Sequence, residues 1–336
     1  MTARPGQHRA VLAAETPVIP ESDRPTPGPI AILPRPEPLF EEAVQAAGGT
    51  VAPLSPETRG IVWLDQSGVE EFTRVLDAHP AVQWVQLPWA GVDAFAEVLA
   101  RDAAAPRERL VWTSAKGAYA QPVAEHALTL VLALLRDLPT RVRAGGWGAK
   151  SGTSLYGLDV VIVGAGGIAL ELLRLLAPFG VRTTVVRRSS TPVAGADRTV
   201  TSDRLHEVLP GADVVVVAAA LTAGGTRRMF SHPEFDLMRG TAVLVNIARG
   251  GLVDTDALVA ALERGDIAGA GLDVTDPEPL PDGHPLWTTP GVIVTPHTAD
   301  TPEMTSLLLA DRLRHNVRAF LVSGDFEGRV DPAAGY

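Results

Sequence analysis

The chain contains no cysteine, so disulfide bonds, thiolate catalysis and cysteine metal ligands are excluded. Basic residues are in the minority, because 29 Lys and Arg against 39 Asp and Glu leave a net charge of −10. An acidic chain is a poor candidate for nonspecific nucleic-acid binding, which depends on neutralising phosphates. Lysine occurs only at Lys116 and Lys150. Since the remaining basic residues are all arginine, an argument from any single arginine is weak.

Long apolar runs are also missing. The N-terminal stretch MTARPGQHRAVLAAE has no apolar segment followed by a small-residue cleavage site, so it does not match a signal peptide. The most apolar predicted helix, residues 123–135, contains Glu125 and His126. It is too short to cross a bilayer, which takes about 20 apolar residues. These absences predict a soluble, cytoplasmic protein with no membrane partner and no metal site.

Short apolar runs alternate with helical stretches from Asp159 onward. Continuous apolar runs suit strands that are buried on both faces, and therefore a parallel sheet covered by helices. Strands joined by helical crossovers predict an α/β, doubly wound (Rossmann) domain. The six predicted strands are DVVIVG (159–164), RTTVVR (182–187), ADVVVVAA (212–219), TAVLVNIA (241–248), IAGAGLDV (267–274) and GVIVTPH (291–297).

The first part of the chain, up to about residue 119, has the pattern of a smaller α/β unit. Its candidate strands are PIAILP, GIVWLD, VQWVQLPW and RLVWTS. The helical stretch 303–321 has no strand partner in the second domain, so we expect it to fold back on the first. The predicted domains are therefore residues 1–119 with 299–336, and residues 120–298.

A glycine-rich loop lies between the first predicted strand of the second domain and a helix, in VVIVGAGGIALELLRLL. Gly164 permits a tight turn, Gly166 lets the backbone approach a pyrophosphate, and Ala169 is small enough for helix–strand packing. Gly167 and Ile168 begin the helix and offer N–H groups to phosphates. The context predicts a dinucleotide site, and the alternative is a glycine-rich turn that only packs.

The next strand ends in arginine. Arg187 lies about 20 residues beyond the glycine loop, where NAD-binding proteins place an acidic residue that accepts hydrogen bonds from the ribose. Arginine has no acceptor and suits the 2′-phosphate of NADP. Arg188 adds charge and Ser189 adds a hydroxyl donor. We therefore predict NADP(H) in preference to NAD(H); the alternative is that both arginines face solvent.

Three titratable residues follow three of the predicted strands: Arg249, Glu278 and His297. Ligands of a doubly wound sheet bind outside the carboxyl ends of its strands, so we expect all three in one crevice. A guanidinium holds a carboxylate, an imidazole exchanges protons near neutral pH, and a carboxylate beside the ring raises its pKa. The set suits reduction of a 2-oxo acid or the reverse oxidation. Each residue also has a structural interpretation, as a surface arginine, a loop acid and a core histidine.

From about Trp84 onward the sequence resembles the D-isomer-specific 2-hydroxyacid dehydrogenase family. The resemblance is strongest in LVNIARGGLVDTDALVAALERGDIAGAGLDVTDPEPLPDGHPLW and in VIVTPHTADT. It implies that Arg249 binds substrate, that His297 is the acid/base and that Glu278 is its partner. It also implies a flavodoxin-like substrate domain made of both chain ends, and a homodimer formed through the nucleotide domain.

The resemblance implies further contacts as well. PWAGVD is similar to the loop whose backbone N–H groups hold the substrate carboxylate. The implied substrate contacts are Trp89, Ala90, Gly91 and Arg249. The implied cofactor contacts beyond the glycine loop and the arginines are Thr226, Ile247, Ala248, Asp273 and His297.

The sequence departs from the family pattern at several positions. Arg187 replaces the acidic residue of NAD-using members, and in this the sequence resembles the NADP-using glyoxylate and hydroxypyruvate reductases. Ala220 stands where proline is usual, Tyr119 where asparagine is frequent, and Asp300 where small residues are common. A carboxylate at position 300 can alter substrate preference.

The main hypothesis is an NADP-dependent reductase of small 2-oxo acids such as glyoxylate or hydroxypyruvate. One alternative is a dehydrogenase of another acid or oxyanion on the same scaffold. The other is a cofactor-sensing dimer that recruits partners, against which the complete arginine, glutamate and histidine set argues.

Overall fold

The computed structural model describes residues 8–13, 17–65, 67–222 and 225–336. Its strands are β1 (Ile30–Leu33), β2 (Gly60–Trp63), β3 (Trp84–Gln86), β4 (Val111–Thr113), β5 (Asp159–Val163), β6 (Arg182–Arg187), β7 (Arg198–Thr201), β8 (Val214–Val217), β9 (Val243–Asn246), β10 (Gly269–Leu272) and β11 (Val292–Val294). Its α-helices are α1 (Pro38–Ala46), α2 (Val69–Ala78), α3 (Ala96–Ala104), α4 (Ala120–Leu135), α5 (Leu138–Arg143), α6 (Gly167–Leu176), α7 (Leu205–Val208), α8 (His232–Leu237), α9 (Thr255–Arg264) and α10 (Pro302–Arg318).

The described chain forms two compact units. One comprises the residues up to Tyr119 together with Thr301–Tyr336, and the other comprises Ala120–Asp300. The first unit contains a four-stranded parallel sheet in the order β1-β2-β3-β4. The C-terminal segment belongs to this unit because its side chains pack on the sheet. Phe320 stacks on Trp84 with ring centroids 5.2 Å apart, and the buried Asn316 donates to Gln86 at 2.8 Å.

The second unit contains a seven-stranded sheet in the order β11-β10-β9-β8-β5-β6-β7, with every pair parallel. The prediction of a doubly wound α/β fold is confirmed. Strands β8, β9 and β10 are buried throughout, as continuous apolar sequences require. The predicted six strands omit β7, a four-residue edge strand in which only Val200 is buried. The strand order reverses beside β5, so the loop after β5 lies at the switch point where such folds bind ligands.

Helix α4 covers one face of this second sheet and packs against α6, β9 and β10. Its close approach explains a glycine in β10, because a Cβ at Gly271 would lie 3.0 Å from the Cβ of Leu130. The apolar character of α4 therefore reflects burial within the unit. Within the described ranges, no helix combines the length and the apolar character needed to cross a membrane.

Candidate active site

The glycine loop turns sharply out of β5. Gly164 has φ +119°, and a Cβ there would lie 2.3 Å from the carbonyl oxygen of Ala218, so only glycine fits. Gly166 differs, because an added Cβ would meet no atom within 4 Å. The packing of the chain itself therefore does not require glycine at position 166. The open space beside it is what a dinucleotide needs when its pyrophosphate approaches the backbone.

Helix α6 begins immediately after this turn. Its N-cap residue is Gly166, which has no side chain to cap the N–H groups of the first turn. Such N–H groups, with the positive end of the helix dipole, favour phosphate oxygens. Ala169 is fully buried, so the third position of the motif needs a small side chain for packing. The loop and the helix start thus suit a phosphate-bearing ligand.

The end of β6 lies beside the glycine turn, since the N–H of Gly164 donates to the carbonyl oxygen of Val186 at 2.8 Å. Arg187 is partly buried, and its Nη1 donates to the carbonyl oxygen of Thr191 at 3.3 Å. Arg188 and Ser189 are exposed. The segment from Arg187 to Thr191 contains no carboxylate, so the segment itself presents cationic and hydroxyl groups and no acidic acceptor.

Arg249 lies in a turn that Asn246 holds from the end of β9. The buried Asn246 side chain accepts a hydrogen bond from the N–H of Ala248 at 3.1 Å and donates to the carbonyl oxygen of Arg249 at 2.9 Å. The next residue packs tightly, because a Cβ on Gly250 would lie 1.8 Å from the carbonyl oxygen of Thr275. The Arg249 turn therefore lies against the loop that follows β10, which carries Glu278.

His297 and Glu278 form a hydrogen-bonded pair. The Nδ1 atom of His297 lies 2.6 Å from Oε1 of Glu278, and both side chains are 41% exposed. The hydrogen bond to the Glu278 carboxylate raises the pKa of His297 above its ordinary value, although burial opposes this. The same bond lowers the pKa of Glu278. Because Nδ1 faces the carboxylate, Nε2 is the ring nitrogen able to exchange a proton with a ligand.

The guanidinium of Arg249 lies within electrostatic range of this pair. The positive charge of Arg249 helps to lower the pKa of Glu278 and opposes the rise in the pKa of His297. Both effects are smaller than those of the His297–Glu278 hydrogen bond and of burial. The structure thus brings the three predicted catalytic residues together at the carboxyl edge of one sheet, on the turns that follow β9, β10 and β11.

Asp273 fastens the turn that carries His297. The Asp273 side chain is 1% exposed, and its carboxylate accepts hydrogen bonds from the Thr295 hydroxyl at 2.6 Å and from the N–H groups of Thr298 and Ala299 at 2.9 and 3.1 Å. Its carbonyl oxygen accepts from the N–H of His297 at 2.9 Å. His297 has φ +48°, a left-handed conformation that few non-glycine residues adopt. The hydrogen bonds that Asp273 accepts, called the Asp273 clamp below, therefore hold a strained backbone in place.

Burial alone would raise the pKa of Asp273. The hydrogen bonds from His126, Thr295 and the two backbone N–H groups outweigh burial and keep the pKa below its ordinary value. His126, on α4, places Nε2 3.0 Å from the Thr295 hydroxyl and 3.4 Å from Oδ1 of Asp273. Sequence analysis did not assign a site role to His126, Thr295 or Asn246. A titratable pair, Glu125–His126, inside an otherwise apolar helix was the available signal for His126.

Other predicted cofactor residues lie at the same edge. The Thr226 hydroxyl accepts from the N–H of Thr222 at 2.8 Å and donates to the carbonyl oxygen of Ala220 at 2.9 Å, which closes the loop after β8. Residues 223–224 lie outside the described ranges. Ile247 and Ala248 are buried at the end of β9. Cofactor contacts of these residues stay predictions.

The predicted substrate loop belongs to the first unit. Ala90 and Gly91 are partly exposed and follow β3. The Trp89 ring meets the Tyr119 ring edge-on with centroids 6.2 Å apart, and the Tyr119 hydroxyl donates to the carbonyl oxygen of Pro88 at 2.9 Å. Tyr119, a departure from the family pattern, thus braces the loop from within its own unit.

A doubly wound sheet with a glycine turn at its switch point is the architecture of dinucleotide-dependent dehydrogenases, and comparison with known proteins narrows the class. The family model described as "D-isomer specific 2-hydroxyacid dehydrogenase, NAD binding domain" matches residues 128–299. The chain belongs to the D-isomer specific 2-hydroxyacid dehydrogenase family and is an oxidoreductase of that class.

Individual proteins are similar to this chain over much of its length. An uncharacterized protein of Corynebacterium melassecola is 40% identical over 77% of this chain and 86% of its own length. The glyoxylate reductase/hydroxypyruvate reductase of Mus musculus is 37% identical over 60% of this chain and 65% of the mouse enzyme, slightly under two thirds of its length. A D-isomer specific 2-hydroxyacid dehydrogenase from Xanthobacter autotrophicus Py2, crystallised with NADPH and MES, is 28% identical with a TM-score of 0.76, covering 93% of this chain and 100% of that one.

Proposed function

We propose that this protein is an NADP-dependent reductase that converts small 2-oxo acids of the glyoxylate and hydroxypyruvate type to D-2-hydroxy acids. The observation that carries the proposal is the 2.6 Å contact between His297 and Glu278 within electrostatic range of Arg249. The similarity to the mouse glyoxylate reductase/hydroxypyruvate reductase supports the substrate class. The same assay tests the alternative, a different acid or oxyanion on this scaffold.

Each of the three side chains has a distinct role in the proposed reaction. The Arg249 guanidinium binds the substrate carboxylate and polarises the adjacent carbonyl. Glu278 raises the pKa of His297 and so favours its protonated form, which gives the Nε2 proton to the carbonyl oxygen as that oxygen becomes a hydroxyl. Glu278 stabilises the imidazolium before transfer and orients the ring. A bound nicotinamide cofactor supplies the hydride that C2 receives.

The preference for NADP rests on the end of β6. Arg187, Arg188 and Ser189 offer two guanidinium groups and a hydroxyl beside the glycine turn, and an acidic ribose acceptor is missing from this segment. Paired charge-assisted hydrogen bonds suit a 2′-phosphate. The NADPH complex of the Xanthobacter protein supports the same choice.

The test is turnover of glyoxylate, hydroxypyruvate and pyruvate, followed by the absorbance of the reduced nicotinamide with NADPH and NADH side by side. We expect higher kcat/KM with NADPH. The double variant Arg187→Asp/Arg188→Ala should lose about 10-fold or more of that preference, because each charge-assisted hydrogen bond to phosphate contributes about that factor.

The matched control is Arg182→Ala. Arg182 begins the same strand at the opposite edge of the sheet and pairs with Asp159 at 2.6 Å, so cofactor preference should not change. Equal kcat/KM with both cofactors in the parent would contradict the NADP assignment. Absence of turnover with every 2-oxo acid would contradict the reductase itself.

A homodimer and a cytoplasmic location stay predictions. The segment after α4 exposes Val142, Trp147 and Tyr156, which are 77%, 98% and 67% exposed, and we propose these side chains as contacts of the dimer. Sedimentation of the full chain should show a dimer that Trp147→Ser weakens. Val322→Ser, at a site 73% exposed in the first unit, should leave the dimer intact; a parent that sediments as a monomer contradicts the prediction.

A further inference from the structure

Asp300 occupies an unusual position at the end of the second unit. It lies three residues beyond His297, directly after the turn whose N–H groups Asp273 holds. Its side chain is partly buried, and His297, Arg249 and Asp273 all lie within electrostatic range of its carboxyl. Among the described residues of 120–300, the carboxyl forms no hydrogen bond or ion pair with another side chain.

A partly buried carboxyl is unfavourable for folding when no side chain of its own unit pairs with it, and the hydrogen bond that Asp300 accepts is from its own backbone N–H. Burial raises the pKa of Asp300 to about 6, with Asp273 adding to the effect and His297 and Arg249 opposing it. A titratable group in this state beside reactive residues is characteristic of a functional site. The remaining question is which part of a ligand the carboxyl meets.

The roles of its neighbours limit the answer. In the proposed reaction Arg249 binds the substrate carboxylate and His297 faces the carbonyl oxygen. A small 2-oxo acid has one further part, the substituent on C3. A carboxylate accepts a hydrogen bond from a hydroxyl there, gains nothing from a methyl group, and repels a second carboxylate.

We propose that Asp300 is a specificity-determining residue that selects 2-oxo acids bearing a hydrogen-bond donor on C3. This inference deepens the proposed reductase function and rests on it. It gives hydroxypyruvate an advantage over pyruvate, which differs only in lacking the C3 hydroxyl. It also disfavours dicarboxylic 2-oxo acids. Glyoxylate has no C3, so its turnover does not depend on this contact.

The experiment compares kcat/KM for hydroxypyruvate, pyruvate and glyoxylate in the parent, in Asp300→Ser and in Asp300→Asn. The hydroxypyruvate-to-pyruvate ratio isolates the C3 hydroxyl. We expect this ratio to fall about 10-fold in Asp300→Ser, the scale of a hydrogen bond to a charged group, while glyoxylate changes by less than about 3-fold. Asp300→Asn keeps one acceptor oxygen and should give an intermediate ratio. The control Asp282→Ser, at an exposed position of the same unit, should leave the ratio unchanged.

The pH dependence of the same ratio adds a second readout. Both substrates use His297, so its titration cancels in the ratio, and the charges of Arg249, Asp273 and Glu278 act on both substrates alike. A deprotonated carboxyl is the better acceptor, so the parent ratio should decrease as the pH falls through about 6, the pKa of Asp300. The ratio in Asp300→Ser should be flat across that range.

The outcomes separate the two proposals. A ratio that stays the same in both Asp300 variants overturns the specificity role while leaving the reductase intact. A parent that turns over none of the three acids overturns both. If Asp300→Ser fails to fold, as judged by circular dichroism, the decision passes to Asp300→Asn and to the pH profile of the parent ratio, which must decrease on acidification.

Discussion

Replacing Asp273 by asparagine separates two interpretations of this residue. The family resemblance implies a contact near the nicotinamide. The structure shows a carboxylate that is 1% exposed and whose oxygens already accept hydrogen bonds from Thr295, Thr298 and Ala299. We expect Asp273 to act by positioning the His297 turn, so Asp273→Asn should lower stability and kcat more than it weakens cofactor binding.

The magnitude follows from the donors that lose a partner. Asparagine supplies one acceptor oxygen and one N–H donor group. With its oxygen in place of Oδ1, it keeps the bonds from Thr295 and Thr298, but its NH₂ faces the buried N–H of Ala299. One unsatisfied donor lowers the free energy of unfolding by about 1–3 kcal/mol. Asp273→Ala leaves two backbone N–H groups without an acceptor and should lower it by about 2–6 kcal/mol.

Three measurements test this prediction. Urea unfolding gives the free energy, fluorescence titration gives the Kd for NADPH, and steady-state assays give kcat. In Asp273→Asn, the Kd should change by less than about 3-fold while kcat falls by about 10-fold or more, because catalysis requires near-exact placement of the acid/base. Asp197→Asn is the control, since Asp197 also accepts a backbone N–H and a hydroxyl, both from Thr183 at 2.8 Å. The Asp197→Asn variant should be less stable than the parent and should keep the kcat of the parent.

The opposite pattern would refute the reasoning. If Asp273→Asn keeps both the free energy of unfolding and kcat of the parent, the Asp273 clamp does not support the turn. If the Kd for NADPH rises while kcat is unchanged, the side chain contacts the cofactor as the resemblance implies.

Two further predictions concern the pair of His297 and Glu278. His297→Ala should lower turnover roughly 10²–10⁴-fold, the usual contribution of a general acid, with the Kd for NADPH unchanged in fluorescence titration; full turnover would contradict the acid role. Glu278→Gln removes the carboxylate charge and weakens the hydrogen bond that raises the pKa of His297. Reduction needs the protonated ring, so it should decline at lower pH than in the parent when kcat/KM is followed against pH. The stabilisation from the raised His297 pKa is fully present below its ordinary value of about 6.5 and is lost as pH rises through the folded value. The Tm difference between parent and Glu278→Gln should shrink over that range, and identical pH profiles would exclude the assigned coupling.

The fold was accessible from the sequence because its signals are local. Apolar runs such as that of β8 predict buried parallel strands, and Gly164 predicts the turn at the switch point. Strand β7 was missed because only Val200 among its four residues is buried, which leaves no apolar run to detect. The site was partly accessible, since carboxyl ends of parallel strands share one edge, and this placed Arg249, Glu278 and His297 together before their contacts were known.

The contacts that hold the site were not accessible, because they depend on which way polar side chains point. The sequence shows that Asn246 ends β9 and that Asp273 follows β10, but not that Asn246 binds both sides of the Arg249 turn. It also does not show that His126, far away along the chain, approaches Asp273 from α4. Contacts between residues far apart in the chain leave no regular spacing in the sequence, so a single sequence does not predict them.

The three strand ends share one physical arrangement. At each, a polar residue at or just after the end of the strand binds backbone or side-chain groups: Asn246 at the end of β9, Asp273 after β10 and Thr295 after β11. Arg249 lies in the turn that Asn246 binds, and His297 lies in the turn that Asp273 binds. Buried polar groups are expensive unless satisfied, so a fully bonded set fixes the turns firmly. Arg249 and His297 can therefore stay partly exposed to a ligand without losing their positions.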